Sequence, residues 1–327
     1  MTPDIEIALA DRGIHHVTAI ARDPQVNVDF YAGVLGLRLV KRTVNFDDPG
    51  TYHLYYGDAT GRPGTILTFF PWPLARRGTR GTGQATVTAL SVPEGSLGFW
   101  RARLRVREVA HDGPVRRFDE GVLTLLDPDG LKLELVAHAG AGETEPWAGG
   151  PVPAEHAIRG FHGVTLAEQG YEATAELLSR SLGFELAGEA GNRFRFAAAG
   201  DGPGRVVDVL CSPDLPPGRV AAGTVHHVAF RAADDADQLA RREALVGRGL
   251  DVTPVLDRQY FRSIYFREPG GVLFEIATDP PGFTLDEAPG ELGSALRLPP
   301  WLEPHRERIE AALPPLATPA GGRGGEG

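Results

Sequence analysis

Alternating and β-branched apolar residues follow a glycine at two places far apart in the chain, and each place carries a pair of histidines. The first is residues 13–19, with His15 and His16, and the second is residues 223–229, with His226 and His227. This pattern predicts a β-strand at each place. Because successive side chains on a strand point to opposite faces, only one histidine of each pair can point into a shared cleft.

The order strand, helix, strand, strand, strand occurs four times, and such internal repeats define a fold. The four opening strands are predicted at 13–19, 84–92, 160–165 and 223–229, and the four helices at 27–35, 97–104, 171–181 and 235–246. The later strands are predicted at 37–44, 52–56 and 64–70, at 116–118, 122–126 and 130–136, at 193–197 and 205–210, and at 252–255, 263–267 and 271–277.

The pattern therefore predicts an α+β fold of four βαβββ modules, at 13–72, 84–138, 160–211 and 223–278. A linker rich in Gly, Ala, Pro and Glu at 139–159 divides them into an N-terminal pair over 10–138 and a C-terminal pair over 160–280. The extension at 281–327 is Pro-rich and is expected to carry one helix near 305–313 and a disordered Gly-rich tail.

Composition excludes several classes of protein. The 327 residues carry a net charge of −10, which argues against nucleic acid as a partner because phosphate binding needs a basic surface. We find no run of eighteen apolar residues and no signal peptide, so neither a membrane span nor secretion is expected. The one cysteine, Cys211, fits a reducing cytoplasm and leaves nitrogen and oxygen as the ligands of any metal.

The repeat predicts where a metal would bind. When the modules are aligned, one position of the first strand is occupied by His16, Thr86, Gly163 and His227. One position of the last strand is occupied by Thr68, Glu134, Asp208 and Glu275. The outer modules thus supply two imidazoles and a carboxylate, whereas the middle modules supply no histidine. We predict one metal site, formed by His16, His227 and Glu275, with Thr68 at the fourth place.

Three protein ligands with a non-ligand at the fourth place leave coordination positions open. Two histidines and one carboxylate with open positions suit non-haem Fe(II), although Zn(II) or Mn(II) could use the same ligands. Glu134 and Asp208 are predicted to be solvated or salt-bridged remnants rather than a second site. The residues without such a pattern are interpreted as surface or structural histidines: His53, His111, His138, His156 and His305.

Several further stretches carry a family resemblance. The chain resembles the vicinal oxygen chelate superfamily, which includes glyoxalases and extradiol dioxygenases, and within it the dioxygenases that open para-hydroquinones. The resemblance covers about 13–313. It rests on the two His-His pairs and on the stretches 30–36, 40–43, 52–55, 63–65, 160–162, 265, 269–271, 274–275 and 282–287.

The resemblance implies a fold of two barrel-like domains, with the first and last modules paired around the metal. It implies Fe(II), or less often Mn(II), at His16, His227 and Glu275, a small aromatic diol as substrate, and ring cleavage with O2 by a cytoplasmic enzyme. It assigns acid/base or hydrogen-bonding roles near the substrate to His15, His226 and Tyr265, and substrate-pocket positions to Arg258 and Thr18. A homo-oligomer is compatible with all of this.

Two other functions stay open on the same scaffold. One is a glyoxalase-like isomerase or thiol-conjugating enzyme, which is weakened by Thr68 because such sites use a fourth protein ligand. The other is a non-catalytic protein that sequesters a small aromatic molecule, which is weakened by the intact set of three ligands. The proposed roles of His15 and His226 also have an alternative, since both can face away from the metal and pack structurally.

Overall fold

The computed structural model describes residues 13–317, and within that range it contains four βαβββ modules. The first has β1 (Ile14–Ala21), α1 (Pro24–Val28) continued by a π-helical turn (Asp29–Val34), β2 (Arg38–Asn45), β3 (Asp48–Gly57) and β4 (Ile66–Pro71). The second has β5 (Gln84–Pro93), α2 (Leu97–Val106), β6 (His111–Arg117), β7 (Glu120–Leu126) and β8 (Lys132–His138). The predicted repeat is confirmed for these two modules.

The other two modules repeat the order. The third has β9 (Phe161–Glu168), α3 (Glu172–Ser181), β10 (Phe184–Ala190), β11 (Arg193–Ala198) and β12 (Val206–Cys211). The fourth has β13 (Val225–Ala232), α4 (Asp235–Gly247), β14 (Leu256–Asp257), β15 (Arg262–Arg267) and β16 (Leu273–Thr278). Short 3-10 turns lie at Ala139–Glu143, Phe283–Leu285, Pro289–Glu291 and Glu303–His305, and α5 spans Arg306–Ala312. This last helix confirms the one predicted near 305–313, whereas residues 318–327 of the predicted tail lie outside the described range.

Four elements differ from the prediction. The strand predicted at 116–118 is β6, which begins five residues earlier at His111, and the other three differ for local reasons. The first helix starts at Pro24, because Asp23 caps it by accepting from the backbone N–H groups of Gln25 and Val26. Strand β10 is missing from the prediction, since most of its side chains are exposed and leave no apolar alternation. The strand predicted at 252–255 is wrong: Pro254 cannot donate to a ladder, and the structure forms the two-residue β14 instead.

The sixteen strands of residues 13–317 form two eight-stranded sheets. Sheet one has the order β14-β15-β16-β13-β1-β4-β3-β2, and sheet two has the order β10-β11-β12-β9-β5-β8-β7-β6. The first and fourth modules therefore share sheet one, joined by antiparallel β1 and β13, and the second and third share sheet two, joined by β5 and β9. Grouping the modules sequentially into 10–138 and 160–280 is wrong for the sheets, and the pairing of first with last module is confirmed.

The crossed pairing depends on two connecting segments, 72–83 and 212–224, which run side by side between the sheets. They are bridged at Arg77 with Ala222, at Thr79 with Arg219 and at Thr82 with Pro217. A Cβ at Gly81 would lie 2.2 Å from the carbonyl oxygen of Pro216, so a residue without a side chain is needed where the segments cross. This bridged crossing lets the chain leave sheet one after the first module and return to it for the fourth.

The C-terminal extension closes sheet one. Phe283 and Leu292 of the extension are buried in a small apolar cluster with Val40, Tyr55 and Tyr260 of the first and fourth modules. The Phe283 ring contacts the rings of Tyr55 and Tyr260 at centroid distances of 5.0 and 5.2 Å. The extension therefore forms a floor beneath part of sheet one.

None of the helices within 13–317 is long and apolar enough to cross a membrane.

A buried pair of carboxyl groups joins the third and fourth modules. The Thr174 hydroxyl lies 2.7 Å from Oε2 of Glu168 and 2.6 Å from Oε2 of Glu268. Both glutamates are buried. A hydroxyl donates one hydrogen, so the second short contact requires a protonated carboxyl group that donates to Thr174. Burial, with Glu268 nearby, raises the pKa of Glu168 to about 8.

This pair predicts a pH-dependent stability. Because the folded pKa of Glu168 lies above its ordinary 4.5, the pair stabilises the fold fully below about pH 4.5, and this stabilisation is lost as the pH rises through about 8. We expect the urea midpoint of the wild type to fall across that window and that of Glu168→Gln to fall less. Exposed Glu176 on α3 supplies the control, Glu176→Gln, which should follow the wild type. Parallel profiles for all three proteins would contradict the prediction.

Candidate metal centre

Three side chains of sheet one converge on one point. His16 lies on β1, His227 on β13 and Glu275 on β16, and all three are buried. Nε2 of His16 is 3.2 Å from Nε2 of His227 and 3.3 Å from Oε2 of Glu275, and Nε2 of His227 is 2.9 Å from the same oxygen. Within 13–317, these residues are the one cluster of three potential donors close enough to share an ion.

The donor set fits a divalent metal. Donor atoms about 2.1 Å from one ion and at right angles would lie about 3.0 Å apart, close to the three separations found here. Oε2 of Glu275 is buried and has no hydrogen-bond partner among the described residues, whereas Oε1 accepts from the Ser263 hydroxyl at 2.5 Å. One carboxylate oxygen is thus held by the protein and the other is left for an ion.

The charges at the cluster also suit a cation. Burial alone would raise the pKa of Glu275, but His16 and His227 more than offset this and hold the pKa well below its ordinary value. Burial is the main cause that lowers the pKa of His227, despite the opposing effect of Glu275. A carboxylate and a neutral imidazole are the forms in which these groups bind metals.

Each histidine ligand candidate is held by the histidine before it. Nδ1 of His15 lies 2.9 Å from Nδ1 of His16, and Nδ1 of His226 lies 2.8 Å from Nδ1 of His227. A hydrogen bond at Nδ1 fixes the ring orientation and leaves Nε2 free to bind an ion. The two modules therefore use the same device, which explains why the histidines occur in pairs.

Thr68 occupies the fourth place predicted from the repeat. It lies opposite Thr18 in the β1–β4 pair, as Glu275 lies opposite Ala229 in the β13–β16 pair, and Thr18 and Ala229 each follow a ligand candidate by two residues. The Thr68 hydroxyl lies 2.9 Å from that of Thr18 and 2.8 Å from Nε2 of His53. Both of these contacts are with protein groups, so the Thr68 hydroxyl is hydrogen-bonded within the protein.

A cavity of about 360 Å³ is lined by two of the three donor residues, His16 and His227. Its walls are largely aromatic, with Phe46, Phe70, Trp72 and Phe261 among the lining residues. The polar groups of the lining include His226, Arg258 and Tyr265, three of the residues predicted to lie near a substrate. The shape and lining are typical of a site for a small, largely apolar ligand with a few polar groups.

The other two predicted substrate residues do not line this cavity. His15 is buried behind His16 and packs against the Phe261 ring, 5.2 Å away between centroids, so its contact is with the ligand candidate. Thr18 is fully buried and contacts Thr68. The β1–β13 register shifts between Ile14 and His16, so His15 lies at an irregularity of its strand, and its ring contacts His16 and Phe261 rather than the cavity.

Arg258 and Tyr265 form a connected pair in the fourth-module wall. Nε of Arg258 donates to the Tyr265 hydroxyl at 3.3 Å, and its Nη1 lies 3.0 Å from Oδ2 of Asp47 on the opposite side of the cavity. Burial, and then Glu275, raise the pKa of Tyr265, so the phenol keeps its proton at neutral pH. Burial lowers the pKa of His226 to about 3, with His227 adding to the shift, and this imidazole is neutral.

Sequence reasoning missed the first-module wall of the cavity. His53, interpreted as a surface or structural histidine, lines the cavity together with Tyr55. His111, His138 and His156 bond to Val109, Ser91 and Ser96 away from it, as predicted for structural histidines. The alternation on β3 puts His53 and Tyr55 on one face, but the sequence does not tell which face meets the cavity.

The equivalent place in sheet two is filled by ion pairs. Glu134 and Asp208 lie opposite Ala89 and Thr165 on β5 and β9, in the register that Glu275 has in sheet one. Because Ala89 follows Val87 by two residues, Val87 occupies the place of His16 in the second module, and the predicted Thr86 is wrong by one residue. Arg117 pairs with Glu134, and Nε of Arg195 lies 2.8 Å from Oδ1 of Asp208. The predicted salt bridges of Glu134 and Asp208 are confirmed.

Comparisons with known proteins agree with this geometry. The model of the glyoxalase/bleomycin resistance protein/dioxygenase superfamily matches residues 13–135 and 160–276. A Bacillus subtilis protein provisionally named ring-cleaving dioxygenase MhqO is 52% identical over 304 residues, 93% of this chain and 96% of that protein. The chlorohydroquinone/hydroquinone 1,2-dioxygenase of Sphingobium indicum is 38% identical over 303 residues, 91% of this chain and 94% of that protein.

A solved structure of a similar protein has the same fold. The crystal structure of a protein from Bacillus subtilis, provisionally named a dioxygenase, superposes with a TM-score of 0.89 at 50% identity. The match covers 94% of this chain and 98% of that one. The two-sheet arrangement described above is therefore shared over nearly the whole length of both chains.

Proposed function

Because the chain belongs to the glyoxalase/bleomycin resistance protein/dioxygenase superfamily, we propose that it is a metal-dependent dioxygenase that opens the ring of a hydroquinone-type substrate with O2. The observation that carries this proposal is the open three-donor cluster of His16, His227 and Glu275 at the end of an aromatic cavity. Relatives at 52% and 38% identity bear the names of a ring-cleaving and a hydroquinone dioxygenase, which gives the reaction class.

His16, His227 and Glu275 would hold the metal, which we propose to be Fe(II), with Mn(II) as the alternative. Bound there, the metal would supply positions for a diol oxygen and for O2 and would lower the pKa of the diol hydroxyl. The aromatic lining would hold the ring and keep water away from it. Ser263, His15 and His226 would orient the three ligands.

His226 also has a role toward the substrate. If His227 binds the metal through Nε2, its Nδ1 carries a hydrogen and donates to Nδ1 of His226. The hydrogen of the neutral His226 then lies on Nε2, and His226 lines the cavity. We infer that His226 presents an N–H to a substrate oxygen and can deliver that proton as the ring opens.

Tyr265 and Arg258 would act together on the same wall. The phenol of Tyr265 keeps its proton and can donate a hydrogen bond, while the guanidinium of Arg258 fixes the phenol and adds a positive charge toward an anionic oxygen. Thr18 contacts Thr68 rather than the cavity, so it would act by holding the Thr68 side chain in position. All three residues belong to the set to which the sequence resemblance assigns substrate-side roles.

The test is oxygen uptake by protein loaded anaerobically with Fe(II) and given methylhydroquinone, with catechol in parallel. Hydroquinones oxidise in air, so the product is examined by mass spectrometry for a ring-opened compound carrying both atoms of labelled O2. We expect His16→Ala to lose both uptake and labelled product. Cleavage of catechol alone would move the enzyme to ortho diols, and no cleavage of any diol by metal-loaded protein would favour an isomerase or thiol-conjugating enzyme.

A further inference from the structure

The roles proposed above account for the polar residues of one cavity wall but not for those of the other. The fourth-module wall carries His226, Arg258 and Tyr265, which already have proposed roles. The first-module wall carries His53 and Tyr55 between aromatic rings, and no role accounts for two polar groups there. The His53 ring lies 4.0 Å from the Tyr55 ring and 4.3 Å from the Phe70 ring between centroids. Packing therefore fixes its orientation.

His53 stands in the middle of a hydrogen-bonded chain. Nδ1 of His53 lies 2.8 Å from the Tyr55 hydroxyl, and Nε2 lies 2.8 Å from the Thr68 hydroxyl. Thr68 in turn contacts Thr18 at 2.9 Å between hydroxyl oxygens. Four side chains from β1, β3 and β4 are thus linked in a row that starts at the cavity and ends beside the metal ligands.

The number of hydrogens in this row determines whether Tyr55 donates a hydrogen bond to a ligand or accepts one. A neutral imidazole donates from one nitrogen and accepts at the other, and each hydroxyl donates once, so the row has two possible directions. In one direction, Tyr55 donates to His53 and its oxygen can accept from a ligand. In the other, His53 donates to Tyr55, whose own hydrogen is free for a ligand. Among the described residues, the Tyr55 hydroxyl has no hydrogen-bond partner other than His53.

The position of Tyr55 favours the far end of a diol. Thr68 pairs with Thr18 on β1 and with Tyr55 on β3, so the backbone of Tyr55 lies two strand spacings, about 10 Å measured along the sheet, from the strand of His16. An ortho diol presents both oxygens on one side of the ring, toward the metal. A para diol presents its second oxygen on the opposite side of the ring, away from the metal.

We propose that Tyr55, positioned by His53 and Thr68, binds the diol hydroxyl that is not at the metal and so sets a preference for para diols. This inference rests on the proposed function, since it takes one diol oxygen to be at the metal. Tyr55 would touch the substrate, whereas His53 acts through Tyr55 and is a positioning residue. The reversible direction of the row lets the same oxygen accept from a hydroxyl and donate to a carbonyl.

The inference is tested by a cycle of variants and ligands. Binding of hydroquinone, phenol and catechol to metal-loaded protein is measured by calorimetry without O2, so that no turnover is needed. Tyr55→Phe removes only the hydroxyl and should weaken hydroquinone binding by about 10-fold, the value of one hydrogen bond, while changing phenol and catechol binding less than about twofold. His53→Leu should have the same selective effect, because it leaves Tyr55 unpositioned.

Tyr52→Phe is the matched control. Tyr52 lies on the same strand, and its hydroxyl donates to the carbonyl oxygen of Pro314 rather than lining the cavity. This variant should bind all three ligands like the wild type. Equal weakening of hydroquinone and phenol in Tyr55→Phe, or no weakening of either, would overturn the inference. A wild type that prefers hydroquinone in binding but cleaves no diol would instead contradict the proposed function.

Discussion

Glu275→Gln is expected to lose its metal and its ring-cleaving activity while keeping its fold. The introduced amide would have nearly the same shape as the Glu275 carboxylate but would lack the negative charge that faces His16 and His227, at 3.3 and 2.9 Å from their Nε2 atoms. Loss of an outer partner of a metal ligand already costs 10- to 100-fold in affinity or activity, so loss of a charged ligand should cost more than about 100-fold. Metal content by elemental analysis and labelled-oxygen incorporation measure the two effects separately.

Glu134→Gln provides the comparison within the same chain. Glu134 occupies the equivalent register position in sheet two but pairs with Arg117, so its replacement should leave the metal content unchanged. The proposal for Glu275 would fail if Glu275→Gln retained metal and turned over diol like the wild type. Equal losses of metal in both variants would point to a general effect on the fold and count against it as well.

The two sheets compensate the charge of their buried carboxylates differently. At the same register position, sheet one carries one buried carboxylate, Glu275, and sheet two carries two, Glu134 and Asp208. A buried anion needs a compensating positive charge. Sheet two provides it with three arginines: Arg117, Arg193 and Arg195. In sheet one, no arginine of the described range forms an ion pair with Glu275, and two imidazoles face the carboxylate with their Nε2 atoms. An ion bound between them would supply the missing charge, and for this reason we propose one metal site rather than two.

The three clustered donors could be predicted from the sequence because they repeat. Two His-His pairs and one matched carboxylate identify His16, His227 and Glu275 without knowledge of which modules touch. The partner of β1 could not be predicted in this way, because β1 and β13 meet only through the crossing of segments 72–83 and 212–224. The two His-His pairs are roughly 200 residues apart, and the local pattern of a strand does not specify which distant strand it pairs with.

The cavity wall was missed for a related reason. The fourth module has Ser263 at the position of His53, two residues before Tyr265 as His53 lies two before Tyr55, so the repeat does not single out a histidine there. The position of His53 follows from the β3–β4 pairing, which puts Tyr55 opposite Thr68, and from the Phe283 floor supplied by a segment more than two hundred residues later. A side chain whose role comes from several distant elements leaves no local signal in the sequence.

That floor is held by buried ion pairs, and they give the prediction with the largest expected effect on stability. Lys41 on β2 is fully buried and contacts Asp286, at 2.6 Å, and Glu287, both in the C-terminal extension. The Tyr260 hydroxyl donates to the other oxygen of Asp286 at 3.0 Å, and the Lys41 ammonium lies 4.8 Å from the centre of the Tyr260 ring. Removing the ammonium would leave two carboxylates without their main partner in a buried place.

Lys41→Met is expected to lower the free energy of unfolding by about 3–5 kcal/mol, because removal of one partner exposes the desolvation cost of the other. The triple variant Lys41→Met, Asp286→Asn, Glu287→Gln should recover much of that loss, since it removes the uncompensated charges too. Lys132→Met, at the other lysine of the chain, has no ion pair in the described residues and should change stability by less than about 0.5 kcal/mol. If the single and triple variants unfold at the same urea concentration, the charges do not hold the extension. If Lys41→Met matches Lys132→Met, the cluster adds nothing to stability, and the Phe283 floor beneath Tyr55 is held by apolar packing instead.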